Sequence, residues 1–133
     1  MEVDSRRIAA IETGLLVLVG VERGDGQSQA DRLLQRLLGY RVFADQQGRM
    51  NRSLMDIGGS LLLVPQFTLA ADTNKGTRPG FSTAADPVDA KHWFEYLLDQ
   101  ADQLPTRVVG GVFGADMQVG LVNDGPVTFW LQT

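Results

Sequence analysis

The sequence contains no cysteine and only one histidine, His92. Without cysteine, the chain has no disulfide, no thiolate nucleophile and no cysteine-based zinc site. With one histidine, a multi-histidine metal site cannot form within one chain, and a Ser-His-Asp triad would have to use His92. His92 lies beside Trp93, off the apolar stripe of a predicted helix, which favours a surface position over a catalytic base. We therefore expect no metal and no other cofactor.

Long apolar runs are also absent. The run GLLVLVGV at 14–21 has the length of a strand and falls short of a membrane span. The N-terminal MEVDSRR carries charges where a secretory signal has its apolar region. These features predict one domain over residues 1–133 that resides in the cytoplasm and has no membrane partner.

The formal net charge is −4, which argues against nonspecific binding to nucleic acid, so no DNA partner is expected. The charge is unevenly distributed. The acidic segment is 86–104, and the basic one, 32–52, sets Asp45 against five arginines: Arg32, Arg36, Arg41, Arg49 and Arg52. The basic segment is either a solvated face or a patch that holds a few phosphates.

Apolar spacing predicts two helices, at 28–40 with Ser28 as N-cap and Gly39 near the end, and at 86–104. Strands are predicted at 6–14, 15–21, 60–70, 106–113, 116–122 and 127–132. Segment 15–21 is apolar throughout, so we expect cover on both faces. The predicted fold is α+β, a curled and mostly antiparallel sheet with two helices outside. The polar loop 72–87 is longer than most structural loops, which favours a functional role.

Two proline positions stand out. Pro65 interrupts a predicted strand although proline cannot donate to a ladder. It marks either an edge or bulge, or a point where the sheet opens and leaves the backbone of Gln66, Phe67 and Thr68 free for a ligand. Gly125-Pro126, in NDGP, is read from composition alone as a turn between two strands.

The chain resembles the D-aminoacyl-tRNA deacylases in three long segments, VPQFTLAADTNKGTRPGF (64–81), FGADMQVGLVNDGPVTF (113–129) and GLLVLVGVERGD (14–25). The resemblance implies a small β-barrel-like α+β domain and a homodimer with shared active sites. It also implies hydrolysis of the ester that joins a D-amino acid to the 3′ end of tRNA, which keeps D-residues out of translation.

By the same resemblance, Asn123, Gly125 and Pro126 form a chiral filter that reaches into the pocket of the other subunit. The Gly-Pro bond is then cis, its carbonyls hold the α-amino group, and no space remains for the β-carbon of an L-amino acid. Glycine has no β-carbon, so a filter of this kind predicts some activity on glycyl-tRNA.

The resemblance gives the catalytic role to Gln66, Phe67 and Thr68, whose backbone N–H groups would receive the ester carbonyl. Thr68 has no histidine or cysteine to act as its base, so we expect attack by water, assisted by the ribose 2′-OH, and not by the hydroxyl of Thr68. Pro65, Met117 and Phe113 are assigned to the pocket; for Met117 and Phe67 an ordinary core position fits equally well. Contacts to tRNA are expected from the loop residues Lys75, Arg78, Pro79 and Phe81, and then from the arginines of 32–52.

The sequence departs from the family pattern at three places. Pro65 replaces a serine, Gly80 replaces the serine of RPSF, and the chain begins about a dozen residues late, without the first strand. Neither Arg6 nor Arg7 takes the place of the arginine that ends this strand and braces the Gly-Pro loop. Either the true start lies upstream, which we favour, or the brace is lost and an aggregation-prone edge is open.

Two alternatives remain from the sequence. One is a catalytically impaired dimer that binds aminoacyl-tRNA ends, which Pro65 and the missing strand would favour. The other is a small β-rich structural or interaction protein without an RNA role. Turnover separates the deacylase from the first, and binding of aminoacyl-tRNA separates it from the second.

Overall fold

Strand β6 (Ser60–Pro65) is the centre of the fold. In the computed structural model, which describes residues 1–133, β6 lies between β3 (Gly14–Val19) and β7 (Val108–Gly110) and runs parallel to both. Leu61 and Leu63 are fully buried. A strand with neighbours on both sides and cover on both faces is expected to be apolar, as β6 is from Leu61 to Pro65.

Alternate residues of β6 enter two different cores. Leu61 and Leu63 pack in the main core with the helices α1 (Gln27–Gly39) and α3 (Pro87–Asp102). Leu62 and Val64 pack in a second core on the other face of the sheet. This second core borders an antiparallel sheet of β2 (Arg6–Arg7), β1 (Glu2–Val3) and β8 (Met117–Gln118).

The two long helices are where the apolar spacing predicts them. Helix α1 ends at Gly39 as predicted, but its N-cap is Gly26, whose N–H donates to Gln29 Oε1 at 2.8 Å, so the predicted cap Ser28 is wrong. Helix α3 begins at Pro87, and the side chain of its N-cap Asp86 accepts from the N–H of Asp89 at 3.0 Å. His92 is exposed on α3, which confirms its predicted surface position.

A hairpin of β4 (Phe43–Ala44) and β5 (Met50–Arg52) precedes a short third helix, α2 (Leu54–Ile57), which the sequence analysis did not predict. Ser53 and Asp56 cap α2 reciprocally: Ser53 Oγ accepts from Asp56 N at 3.1 Å, and Asp56 Oδ2 accepts from Ser53 N at 2.8 Å. The bond from Ser53 is the main cause that lowers the pKa of Asp56. Leu54 carries the helix into the main core, with none of its surface exposed.

The α+β class is confirmed, but the predicted antiparallel arrangement of the main sheet is wrong. The chain passes through α1 between β3 and β6 and through α3 between β6 and β7, and such helical crossovers bring strands back parallel. The strands form three separate sheets and no closed barrel. None of the three α-helices has both the length and the apolar character needed to cross a membrane.

Several strand predictions need correction. Predicted strand 106–113 is a strand only at Val108–Gly110, and 116–122 only at Met117–Gln118. Within 6–14, only Arg6–Arg7 and Gly14, the first residue of β3, are in strands. No strand forms at 127–132, and a hydrogen bond of 3.0 Å from Arg36 Nη1 to Gln132 O instead joins this segment to α1. Predicted strand 60–70 ends at Pro65. The predicted cover on both faces of 15–21 fails at Leu18, which is 44% exposed because the second core does not extend that far along β3.

Candidate active site

The carboxyl end of β6 is where the parallel sheet opens. The ladder between β6 and β7 stops at Leu63 and Gly110, with a last bond from Gly111 N to Leu63 O at 2.8 Å. In the alternation of β6, the nitrogen of Pro65 points towards β7 beyond this last bond, so proline removes no hydrogen bond from the sheet. Pairing with β7 thus ends before Pro65, one of the two interpretations offered by the sequence.

Pro65 is buried against a close approach of the backbone at Gly111. A Cβ on Gly111 would lie 3.0 Å from Pro65 Cδ, 3.0 Å from Met117 Sδ and 3.2 Å from Met1 Sδ. A side chain at 111 would therefore require Met1, Met117 and Pro65 to move by a few tenths of an ångström.

After Pro65 the chain turns out of the sheet. Gln66 N donates to Val19 O at 2.8 Å, and Phe67–Ala70 form one turn of 3₁₀ helix. The first N–H groups of such a turn have no acceptor within it. No backbone or side-chain acceptor receives the N–H of Phe67 or Thr68 elsewhere in the chain. The turn therefore presents two adjacent, unpaired N–H donors.

The side chains of the turn face solvent. Phe67 is 57% exposed and Thr68 is exposed, so Phe67 is not a core residue. Gln66 Nε2 donates a hydrogen bond to Thr68 Oγ1. No acidic or histidine side chain contacts this hydroxyl, and His92 instead packs against Trp93 on α3. Thr68 thus has no general base within the chain.

The long loop after the turn folds back over it. Asp72 and Gly80 exchange two backbone hydrogen bonds, of 2.7 and 3.0 Å, which close the loop at its base. Phe81 then places its ring 5.3 Å from that of Phe67, centroid to centroid. Lys75 and Arg78 are exposed within the closed loop. A Cβ at Gly80 would come no nearer than 3.8 Å to the atoms around it, so the loop has room for a side chain at this position.

A second set of hydrogen bonds, which the sequence analysis missed, fixes the loop to the turn. Thr83 Oγ1 donates to Ala70 O at 2.6 Å. Arg23, from the segment between β3 and α1, donates from Nε to Ala84 O at 3.2 Å and from its N–H to Thr83 O at 3.0 Å. The only sequence signal was the position of Arg23 in GLLVLVGVERGD, which says nothing about the partner.

The NDGP segment is an exposed, internally braced loop. Asn123 Oδ1 accepts from Val127 N at 3.1 Å, and Asn123 Nδ2 donates to Thr128 Oγ1 at 2.9 Å. The Gly125–Pro126 bond is cis, the isomer that the family resemblance implies. Gly125 has φ of 135°, and a Cβ there would lie 2.6 Å from Val127 Cγ2. No hydrogen bond or aromatic contact joins this loop to Gln66, Phe67 or Thr68 of the same chain.

The other residues assigned to the pocket lie against the cores. Met117, in β8, is half-buried on the second core. Phe113 packs on the main core, with its ring centroid 6.5 Å from that of Phe94. Nowhere in the chain do three or more His, Cys, Asp or Glu side chains form a group that could hold a metal ion.

The chain is similar to known proteins over nearly its whole length. The family model described as D-Tyr-tRNA(Tyr) deacylase matches residues 1–132. A D-aminoacyl-tRNA deacylase of Pseudomonas putida (strain GB-1) is 61% identical over 132 residues, which cover 99% of this chain and 91% of the relative. Another, of Stutzerimonas stutzeri (strain A1501), is 60% identical over 133 residues, with coverage of 100% and 92%.

A solved structure shares the fold. The c-Myc DNA unwinding element binding protein is 36% identical and has a TM-score of 0.93, over 99% of this chain and 90% of its own. Its match agrees with the architecture described above. On the strength of the family model and of relatives near 60% identity, this chain belongs to the D-Tyr-tRNA(Tyr) deacylase family.

Proposed function

We propose that this protein hydrolyses the ester of D-aminoacyl-tRNA, releasing the D-amino acid and free tRNA in the cytoplasm, where translation takes place. The observation that carries the proposal is the 3₁₀ turn at the end of β6, where the N–H groups of Phe67 and Thr68 lack acceptors in a chain of this family. A carboxyl ester develops negative charge on its carbonyl oxygen when it is attacked, and two adjacent N–H donors stabilise that charge. Pro65 gives no support to the impaired-binder alternative, because it removes no ladder bond.

In the proposed mechanism the protein positions the ester and water does the chemistry. Water adds to the carbonyl carbon, the tetrahedral oxyanion is held by the N–H groups of Phe67 and Thr68, and the bond to the ribose oxygen then breaks. The adjacent ribose 2′-OH assists proton transfer, and the leaving ribose oxygen takes the proton. The contact from Gln66 Nε2 to Thr68 Oγ1 fixes the turn and leaves the threonine without a base, which fits a positioning role better than a nucleophilic one.

We also propose that each site is completed by the NDGP loop of a second subunit. Two observations support a homodimer. The chain exposes 9069 Å², whereas a compact monomer of 14.5 kDa exposes about 6,900 Å². In addition, the C-terminal segment exposes a set of large apolar side chains: Leu121, Val122, Phe129 and Trp130. Such a surface is typical of an interface.

The loop itself fits the role of a steric filter. Both polar atoms of the Asn123 amide hold the loop, through Val127 N and Thr128 Oγ1, so its backbone is fixed by bonds within the segment itself. A filter made of backbone rejects by volume, so it excludes the β-carbon of an L-amino acid but cannot exclude glycine. We therefore include glycyl-tRNA among the substrates.

The 3′ end of tRNA would lie beside Phe67 and Phe81, whose exposed rings offer a surface on which a base can stack. Lys75 and Arg78 project from the loop that carries Phe81, and their charges suit the adjoining phosphates. Pro65, Met117 and Phe113 then act as support behind the pocket.

The proposal is tested by following the fate of the ester. D-Tyrosyl-tRNA is mixed with the protein, and free D-tyrosine is measured beside binding of the intact tRNA. Release at catalytic protein concentrations supports the deacylase. Stoichiometric binding that protects the ester from spontaneous hydrolysis would refute it.

A further inference from the structure

Three arginines lie together on the β4–β5 hairpin and the segment before it. Arg41, Arg49 and Arg52 are all exposed, and we refer to them as the arginine surface. Of the other two arginines in the basic segment, Arg36 is engaged by Gln132 O and by the ring of Tyr40, and Arg32 lies on α1. The positive charge noted in the sequence is therefore concentrated at the hairpin.

The arginine surface has no ion-pair partner within the chain. The single salt bridge joins Lys91 and Glu95 on α3. The two nearby carboxylates accept hydrogen bonds from backbone N–H groups. Asp45 Oδ1 accepts from the N–H groups of Gln47 and Arg49, each at 2.9 Å, and Asp56 Oδ2 accepts from that of Ser53.

Two of the three guanidinium groups are oriented by neutral acceptors. Arg41 Nη1 donates to Asn51 Oδ1 at 3.1 Å, and Arg52 Nη2 donates to the carbonyl of Asp56 at 3.0 Å. Each guanidinium keeps most of its donors free, and a fixed guanidinium matches the geometry of a phosphate. Asp45 and Asp56 lie beside this surface, and attraction by Arg52 and Arg41 is among the causes that lower the pKa of Asp56. Because three arginines face two aspartates, the region stays net positive in a chain of net charge −4.

The position of this surface relative to the candidate site is informative. Helix α2, which accepts the bond from Arg52, leads into β6 at Ser60, whereas the catalytic turn follows β6 at its other end. A strand of six residues spans about 20 Å. A stacked nucleic-acid strand advances about 3.4 Å per nucleotide, so this distance corresponds to roughly six nucleotides from the ester. That lies beyond the unpaired 3′ end of tRNA and within the paired acceptor stem.

We propose that the arginine surface binds backbone phosphates of the acceptor stem while the aminoacylated 3′ end occupies the site at the end of β6. This inference rests on the proposed function and extends it from the 3′ end to the stem. Backbone contacts carry no sequence information, so the surface would hold tRNAs of any identity, which suits an enzyme that corrects more than one D-aminoacyl-tRNA.

The test compares two substrates and two measurements. The variant is Arg41→Gln/Arg49→Gln/Arg52→Gln. Arg49→Gln alone is paired with the control Arg6→Gln, since both residues are exposed on strand hairpins, neither side chain makes a hydrogen bond, and each change removes one charge. Binding of uncharged full-length tRNA is measured between 50 and 200 mM salt. Hydrolysis is measured on D-tyrosyl-tRNA and on D-tyrosyl-adenosine, which has no stem.

Three lost phosphate contacts account for a change in affinity on the order of 40-fold over that salt range. We expect the triple variant to lose this salt dependence and to show a raised KM for D-tyrosyl-tRNA, with unchanged kinetics on D-tyrosyl-adenosine. Arg49→Gln should flatten the salt slope by about one unit and Arg6→Gln should not. Wild-type binding and salt slope in the triple variant, or an equal loss on both substrates, would overturn the inference. Wild-type protein that hydrolyses neither substrate would refute the deacylase function instead, while tRNA binding still reports on the surface.

Discussion

The hydroxyl of Thr83 donates a 2.6 Å hydrogen bond to the carbonyl of Ala70, the last residue of the turn that bears the candidate catalytic N–H groups. Through this bond, the polar loop that carries Phe81 is fixed to the end of β6. Arg23 holds the same loop from the other side. The loop and the turn are therefore one structural unit, held together by the side chains of Thr83 and Arg23.

Thr83→Val should slow turnover more than it destabilises the fold. The exposed hydrogen bond from Thr83 stabilises the productive geometry of the turn by about 1 kcal/mol. Loss of this contribution corresponds to roughly a fivefold lower kcat. Thr83→Ser keeps the hydroxyl and should restore the rate. Steady-state kinetics on D-tyrosyl-tRNA beside thermal unfolding separate the two effects. Equal kcat in all three proteins would show that Thr83 does not position the turn.

Gly125→Ala should abolish most activity without unfolding the protein. Alanine is strained at φ of 135°, and its Cβ would lie 2.6 Å from Val127 Cγ2, so the loop must shift. Displacement of a positioning group costs on the order of 100-fold in kcat/KM. Gly120→Ala is the matched control, because a Cβ at Gly120 meets no atom within 4 Å. A fully active Gly125→Ala protein would contradict the role of this loop.

Mixing two inactive variants tests whether the sites are shared. Phe67→Ala damages the stacking surface of Phe67 and Phe81, which we call the platform, and Gly125→Ala damages the NDGP loop. If each site takes its platform from one subunit and its loop from the other, a heterodimer contains one undamaged site. Random exchange makes half of the dimers heterodimers, so about a quarter of wild-type activity should return. Activity that stays at the average of the two variants would place the platform and loop of each site in one chain.

Acid stability should depend on the helix caps. The N–H of Asp89 that donates to the Asp86 carboxylate is the main cause that lowers the pKa of Asp86 below its ordinary value of 3.8, and Asp56 is lowered likewise by Ser53. A carboxyl whose pKa is depressed by folding stabilises the native state above its unfolded pKa, and this contribution is lost as the pH falls through the folded value.

Wild-type protein should accordingly lose urea resistance on acidification below about pH 4, and Asp56→Asn/Asp86→Asn should lose less of it. Asparagine caps helices about as well as aspartate but does not titrate. Asp99→Asn, which changes the charge of α3 without touching a cap, serves as the control. Parallel acid profiles for the wild type and the cap variant would count against these two carboxyls.

The sequence predicted the parts of the fold that depend on local pattern. Apolar spacing located α1 and α3. Because proline has no N–H to donate to a strand ladder, Pro65 indicated that pairing would end near it. The direction of the strands was predicted wrongly because it depends on how the chain crosses from one strand to the next. A helix between two strands of one sheet usually makes them parallel, and the predicted order of helices and strands already contained this information. Helix α2 was missed because four residues give no periodicity, although the Ser53–Asp56 cap was visible.

The site was only partly accessible to the same reasoning. Gln66, Phe67 and Thr68 were predicted as a site segment because they follow a proline that breaks the strand pattern, and the structure adds that they turn out of the sheet. The bonds from Thr83 to Ala70 and from Arg23 to Ala84 join residues far apart in the chain, and no spacing rule reports them. Met117 and Phe113 were assigned to the pocket because they lie near the family motifs, but in the structure they pack against the two cores. An apolar residue near a motif is as compatible with a core position as with a pocket.

The steric filter is tested most directly by the rates at which the purified protein, at one concentration, hydrolyses the esters of D-tyrosyl-, L-tyrosyl- and glycyl-tRNA. If the pocket excludes only substrates whose β-carbon has the L-configuration, we expect rapid hydrolysis of the D-ester and measurable hydrolysis of the glycyl ester. The L-ester should decay at its spontaneous rate. Hydrolysis of the D- and L-esters at equal rates would contradict the steric filter.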